Sequence, residues 1–268
     1  MFRDRWALVT GAARGIGRAT AELLANRGAR LVLCDLEQEP LEELAHVLRA
    51  QRATVLTHRV DVGDREAMRD FAAWTLDRVD TVDLLVNNAG VLEVGGIEDT
   101  PWPAWDHVMR VNLWGVVHSC AYFVPAMRKA GRGRVVNVAS AAGEVGLPSL
   151  LAYTTTKFGV VGFSQALRAE LASEGIGVSV VCPGLVATNI VEREHFGGEL
   201  RAKLRALVHR HGLTPERVAH AIVNAAEHDR ALVPVGAQAQ AIHWARRVFP
   251  AHAALWLKRA ASAKRFSA

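Results

Sequence analysis

Tyr153 and Lys157 stand four residues apart in Tyr153-Thr154-Thr155-Thr156-Lys157. On a helix, that spacing puts both side chains on one face. A phenol with a pKa of about 10 is a poor acid–base group at neutral pH. A neighbouring ammonium stabilises the phenolate and lowers that pKa. The pair can then shuttle a proton to or from a carbinol oxygen. The bland alternative is a Tyr–Lys pair on a solvated helix face. Ser140 precedes Tyr153 by 13 residues and follows an apolar run. Its hydroxyl can polarise the same substrate oxygen, or it can simply shape the Ala139-Ser140-Ala141 turn. Asn112 lies inside a helical pattern where Asn has weak propensity. Its amide is expected to hold a water near Lys157; the alternative is a local helix kink with its own bond satisfied.

A second cluster surrounds Thr10-Gly11-Ala12-Ala13-Arg14-Gly15-Ile16-Gly17. Small residues let the backbone turn tightly and approach a pyrophosphate, and a helix N-terminus supplies free N–H groups and a positive dipole end. The spacing is GxxxGxG rather than GxGxxG, and a mere tight turn is the alternative. Its place between a strand and a helix favours phosphate binding. Asp35 ends the second strand, 18 residues after Gly17. A carboxylate there accepts from adenosine ribose hydroxyls and repels a 2′-phosphate. Leu36 offers that phosphate no charge. NAD is therefore the expected cofactor. Arg14 argues for NADP, because a guanidinium in the turn can reach a 2′-phosphate.

Such groups need a scaffold that brings strand ends together. Apolar runs alternate with amphipathic ones along the chain. Strands are expected at 6–10, 31–34, 54–60, 84–86, 134–138, 177–182 and 231–235. Helices are expected at 15–27, 38–50, 64–78, 102–129 (ending near Pro125) and 151–173, with one more opened by Thr214 and Pro215. Alternation with nearly all-apolar strands predicts an α/β fold. It is a doubly wound, mostly seven-stranded parallel sheet, Rossmann-like, with a C-terminal helical extension. One dinucleotide-binding and catalytic domain spans 1–236, and a basic amphipathic extension spans 237–268.

The sequence resembles the short-chain dehydrogenase/reductase family of the common single-domain type. Thr10–Gly17, Asp61-Val62, Asn87-Asn88-Ala89-Gly90, Asn112, Ser140, Tyr153-xxx-Lys157 and Pro183-Gly184 occur in the family's order over residues 5–188. The resemblance implies a catalytic tetrad of Asn112, Ser140, Tyr153 and Lys157, with Tyr153 as general acid or base and Lys157 also bonding the nicotinamide ribose. It implies that Gly11, Arg14, Gly15, Ile16, Gly17 and Asp35 hold the dinucleotide. Asp61 and Val62 would contact adenine, and Asn88, Ala89 and Gly90 would pack along the adenosine ribose. Pro183, Gly184, Val186 and Thr188 would lie along the carboxamide and pyrophosphate. Thr10 and Asn87 support the fourth-strand turn. The family also implies a homodimer or homotetramer, with 102–129 and 151–173 packing across subunits, and a substrate lid at 189–213.

Composition narrows the function classes. Half of the 268 residues are apolar and 22% are charged, an ordinary globular balance that opposes disorder. The three cysteines, Cys34, Cys120 and Cys182, form no CxxC pair, so reduced thiols in a cytoplasmic protein are expected rather than a disulfide or zinc framework. No metal site is expected; His195, His209 and His211 are read as lid residues. Met1-Phe2-Arg3-Asp4-Arg5 runs directly into a strand, so no secretory signal is expected. No uncharged apolar run reaches the ~20 residues of a spanning helix. All acidic residues lie at or before Asp229, and residues 231–268 carry six Arg or Lys. The basic charge therefore belongs to the tail, and a nucleic-acid surface over the domain is not expected. Trp244, Val248, Leu255 and Trp256 give the tail apolar bulk. It is read as packing across the domain or a subunit, with peripheral membrane contact as the second reading.

Val91, Leu92, Val94, Val145, Leu147 and Leu150 make the expected substrate pocket apolar, and Glu144 is read as an exposed loop carboxylate. The expected activity is NAD(H)-dependent interconversion of a secondary alcohol and a ketone on an apolar, steroid-like or lipid-derived small molecule. The alternatives are an NADPH-dependent carbonyl reductase and a non-catalytic nucleotide-sensing module.

Overall fold

In a computed structural model, which describes residues 1–187 and 212–248, strands and helices alternate as the hydrophobic pattern predicts. The order is β1 (Trp6–Thr10), α1 (Gly15–Asn26), β2 (Arg30–Asp35), α2 (Gln38–Ala50), β3 (Val55–Arg59), α3 (Arg65–Leu76) and β4 (Leu84–Asn87). Then follow α4 (Trp102–Met109), α5 (Gly115–Ala130), β5 (Gly133–Val138), α6 (Leu151–Glu170), β6 (Ile176–Pro183), α7 (Pro215–Glu227), β7 (Leu232–Val235) and α8 (Ala237–Val248). The strands form one seven-stranded sheet in the order β3-β2-β1-β4-β5-β6-β7. Every pairing is parallel.

Strand side chains alternate between two buried layers. Ala7, Val9, Leu31 and Leu33 join Leu24, Leu44 and Ile222 on one face. Leu8, Val32 and Cys34 join Phe71, Phe123 and Val160 on the other. Burial on both faces explains why the strands read as continuous apolar runs. The helix starts follow local chemistry. Asp64 accepts from the backbone N–H groups of Glu66 and Ala67 at α3. Thr214 accepts from that of Arg217 at α7, with Pro215 in the first turn.

The expected long helix over 102–129 is interrupted. Residues 110–114 form a π-turn between α4 and α5. One extra residue in the turn shifts the residues after it by about 100° around the axis, and a short apolar run on either side does not register that break. Pro125 sits inside α5 and does not end it. The lost backbone bond is offset by packing of Phe123, Val124 and Met127. The helix closes at Gly131, with φ +64°.

After β3 the chain crosses to the other half of the sheet, so the strand order reverses between the neighbours β1 and β4. That switch point opens a crevice beyond the carboxyl ends of the strands, where doubly wound sheets bind ligands. Beneath it, Asn87 Nδ2 donates to Asn137 Oδ1 at 2.8 Å, and Asn137 Nδ2 donates to Ser164 Oγ at 2.9 Å. This buried relay ties β4, β5 and α6 together under the site. Among the described residues, no helix is long and apolar enough to cross a membrane. Thr188, the three lid histidines and the tail beyond Val248 lie outside the described residues.

Candidate active site

A cavity of about 610 Å³ runs along the strand ends. Residues following β1, β2, β4, β5 and β6 all line it, as does one face of α8. It brings together every expected site residue among those described except Gly17 and Asn112, which lie just behind its wall.

At the β1 end, Gly11 has φ +63°, and a Cβ there would come within 2.8 Å of Ala89 Cα. Gly17 faces the Gly11 carbonyl oxygen, which an added Cβ would strike. The turn is therefore closed by its own backbone. Asn88 Nδ2 adds bonds to the carbonyls of Thr10 and Gly11, each 3.0 Å. Thr10 Oγ1 accepts in return from the N–H groups of Asn88 and Ala89. Thr10 thus supports the fourth-strand turn as expected. The Asn88 amide is committed to the glycine turn, leaving its backbone and neighbours to face the cavity. The Arg14 side chain at the N-cap of α1 makes no capping bond, so among the described residues the first N–H groups of α1 are left uncapped. That cradle fits a pyrophosphate. Gly17→Ala is expected to abolish NADH binding while the chain still folds, read by nicotinamide fluorescence and circular dichroism. Unaltered binding would contradict the cradle.

Asp35 closes the far end. Its carboxylate accepts from the N–H groups of Ala13 at 2.9 Å and Glu37 at 3.0 Å, which fixes its orientation. Arg14 Nε donates to Glu37 Oε2 at 3.1 Å. The guanidinium that argued for a 2′-phosphate is thus engaged by a carboxylate beside Asp35. Sequence reading did not consider Glu37. Asp61 accepts from Gly63 N at 2.9 Å and from Arg110 Nη1 at 2.7 Å. Arg110 sits in the π-turn and also lines the cavity.

The second cluster lies where β5 meets α6. Ser140 Oγ accepts from Ala142 N at 3.1 Å, starting a single 3₁₀ turn over 141–143. Tyr153 and Lys157 share one face of α6, with Lys157 Nζ 5.7 Å from the centre of the Tyr153 ring. Lys157 is only 4% exposed, and its ammonium donates to the Val138 carbonyl at 3.0 Å. A solvated surface pair is therefore excluded. Burial has one consequence that spacing did not reveal. It raises the Tyr153 phenol above its ordinary value, opposed by the Ser140 hydroxyl, and it lowers Lys157 to about 8. Desolvation disfavours both charged forms.

Asn112 is fully buried and makes several bonds of its own. Its Oδ1 accepts from Val91 N, and its Nδ2 donates to Val91 O, both at 2.8 Å. The amide holds the segment after β4, with a further bond from Nδ2 to Thr156 Oγ1 at 3.3 Å. It lies in the π-turn, which sets its height against Val91 and Lys157. Glu144 is the clearest correction. Far from being an exposed loop carboxylate, it is 4% exposed and accepts from or shares a proton with His243 Nδ1 at 2.6 Å.

Gln238 and Ile242 of α8 line the cavity with Leu147 and Leu150. Sequence reading missed both, because the tail carried no signal linking it to the site. The three cysteines are free and buried. Burial pushes Cys120 and Cys182 up to about 12 and Cys34 higher still. Thiols that stay protonated are poor nucleophiles. The native protein is expected to leave all three unmodified by maleimide at neutral pH and to expose all three in guanidinium. Rapid native labelling of any one would contradict the packing.

The sequence pattern of the short chain dehydrogenase family matches residues 5–196. A probable oxidoreductase EphD of Mycobacterium tuberculosis is 36% identical over 260 residues, 93% of this chain and 44% of that protein. This chain thus spans less than half of that relative's length. A D-beta-hydroxybutyrate dehydrogenase of Rhizobium meliloti is 38% identical over 190 residues, 70% of this chain and 74% of the relative. A crystal structure of a short chain dehydrogenase/reductase from Burkholderia phymatum in complex with NAD superposes with a TM-score of 0.81 at 31% identity. The match covers 87% of this chain and 89% of that one.

Proposed function

Because this chain belongs to the short chain dehydrogenase family, we propose that it interconverts an apolar secondary alcohol and its ketone with NAD(H). The observation that carries this reading is the meeting of two clusters in one cavity. The uncapped α1 N-terminus and Asp35 lie at one end, and Ser140 and Tyr153 with buried Lys157 lie at the other. A bound nicotinamide supplies the hydride acceptor or donor.

The chain's own residues do the rest. In oxidation, Tyr153 takes the hydroxyl proton as the carbinol carbon gives up its hydride, leaving a ketone. Ser140 donates to the same oxygen and stabilises its partial charge. Lys157 holds positive charge beneath the phenol, and Asn112 fixes the Val91 segment beside it. In reduction, Tyr153 returns the proton. Fixed geometry supplies much of the acceleration in such sites.

NAD is favoured over NADP because the Asp35 carboxylate lines the end of the cavity where a 2′-phosphate would have to be received, and Arg14 is bonded to Glu37 beside it. The apolar lining by Val91, Leu92, Leu147, Leu150 and Ile242 supports an apolar substrate. Trp102 (80% exposed) and Trp114 flank the α4–α5 face, which supports self-assembly there into a dimer or tetramer. Sedimentation of the full chain tests that.

The test of the function is separate titration of NADH and NADPH into the purified chain, followed by turnover of a panel of secondary alcohols with NAD. Tighter NADH binding and turnover are expected. Tighter NADPH binding would make the chain an NADPH-dependent reductase. Binding without turnover would make it a nucleotide-sensing module.

A further inference from the structure

Two stretches of chain far apart in sequence meet on the substrate side of the cavity. Ala141, Val145 and the partly buried Leu147 follow Ser140; Ala239 and Ile242 belong to α8. They form a small apolar cluster of their own, separate from the two large cores. One bond crosses it: Glu144 Oε2 to His243 Nδ1 at 2.6 Å, between residues 99 apart in sequence. Farther along α8, Arg246 stacks over the Phe158 ring at 5.5 Å, beside Lys157. On the inner face of α8, Gln238 and Ile242 stand one turn apart and both line the cavity. Gln238 Oε1 lies 3.6 Å from where Gly184 would carry a Cβ.

Stability alone does not account for this pair. Glu144 is nearly fully buried, and its Oε1 has no hydrogen-bond partner among the described residues. A buried carboxylate with one oxygen unbonded gives up much of its solvation, and a packed apolar pair would hold a helix at least as firmly. A directional bond adds orientation. It fixes the rotation of α8 about its axis, and that rotation decides which side chains face the cavity.

Resting on the oxidoreductase reading above, we propose that Glu144 and His243 are positioning residues that seat α8 as the wall of the substrate pocket, making Gln238 and Ile242 specificity-determining. Ile242 sets the depth available to the apolar part of the substrate, and Gln238 is the polar group that α8 offers beside Gly184. The adenosine end of the cavity is built from β1, β2 and the start of α1 rather than from α8.

The test uses the full chain with NAD and two alcohols, 2-butanol and 2-octanol. His243→Ala is expected to raise KM for 2-octanol about tenfold while kcat and the NADH Kd stay within about twofold. His243→Gln, whose amide can donate to the Glu144 carboxylate, is expected to recover most of that loss. Equal falls in kcat and NADH affinity, or an unaltered KM, would overturn the proposal. So would a KM defect that His243→Gln fails to reduce. If His243→Ala does not fold, Ile242→Phe tests the wall directly. It is expected to lower kcat/KM for 2-octanol relative to 2-butanol by about tenfold, the scale on which pocket size discriminates, and an unaltered ratio would overturn it.

Hydrogen exchange in the NADH-bound protein reads the seat without turnover. Exchange at residues 237–248 and 141–147 should rise in His243→Ala, while the strands stay protected. Unaltered exchange would overturn the positioning role. Absence of turnover in the parent with either alcohol and with the wider panel would instead strike the oxidoreductase reading.

Discussion

Tyr153→Phe is expected to cut turnover of a secondary alcohol by about 10³-fold while leaving NADH affinity within about twofold of the parent. The substitution removes one oxygen from a half-buried ring that otherwise keeps its packing on α6. Only the proton-transfer group is lost, so binding and chemistry should separate. The pH dependence follows from the same burial. The phenol is raised above its ordinary value, so it holds its proton through neutral pH. Ketone reduction needs that proton and should be nearly flat between about pH 6 and 8. Alcohol oxidation needs the phenolate and should climb over the same range. Once pH passes the Lys157 value of about 8, the ammonium loses its charge and the climb should flatten. Rates compared at saturating substrate in both directions check this. A variant with parental turnover, or oxidation that falls with rising pH, would contradict the role given to Tyr153.

The second large effect is at the cofactor's ribose. Asp35→Ala is expected to weaken NADH about tenfold and strengthen NADPH about tenfold, moving the preference by about 10² in all. Two effects add. The carboxylate proposed to accept from the ribose hydroxyls is removed, and the N–H groups of Ala13 and Glu37 that it bonds are freed to donate to a phosphate. Adding Glu37→Gln removes the carboxylate partner of the Arg14 guanidinium, so the double variant should favour NADPH further. Separate fluorescence titrations of the two cofactors measure the ratio. No movement in the ratio would mean that the carboxylates do not choose the cofactor.

Much of this architecture was legible in the sequence, because its determinants are local. Parallel strands covered on both faces read as apolar runs such as Leu31-Val32-Leu33-Cys34. The glycine turn, Asp35 and the Tyr153–Lys157 spacing are each contained within a few residues. Three features were not local. The π-turn at 110–114 adds a single residue to a helix, a break that the short apolar runs on either side do not register. The Arg14–Glu37 pair depends on how the turns after β1 and β2 face each other. The Glu144–His243 bond joins the segment after β5 to a helix after β7, and only the folded sheet brings them together. The direction of the Tyr153 and Lys157 shifts was also illegible, because spacing shows proximity and not depth of burial.

These corrections bear on function unequally. Engagement of Arg14 by Glu37 strengthens the case for NAD. The two bonds of the Asn112 amide to Val91 hold the segment beside Lys157. The bond from buried Glu144 to His243 packs α8 across the domain, where Gln238 and Ile242 line the cavity.

The central claim is that this cavity transfers hydride between a nicotinamide and a carbinol carbon. The most direct measurement is to give the full chain NADH carrying two deuterium atoms at C4, so that hydride from either face is labelled, together with apolar ketones, and to analyse the alcohols by mass spectrometry. The account requires one deuterium on the carbinol carbon of at least one product, absent from the Tyr153→Phe reaction. NADH that binds with its label retained against every ketone in the panel would contradict it.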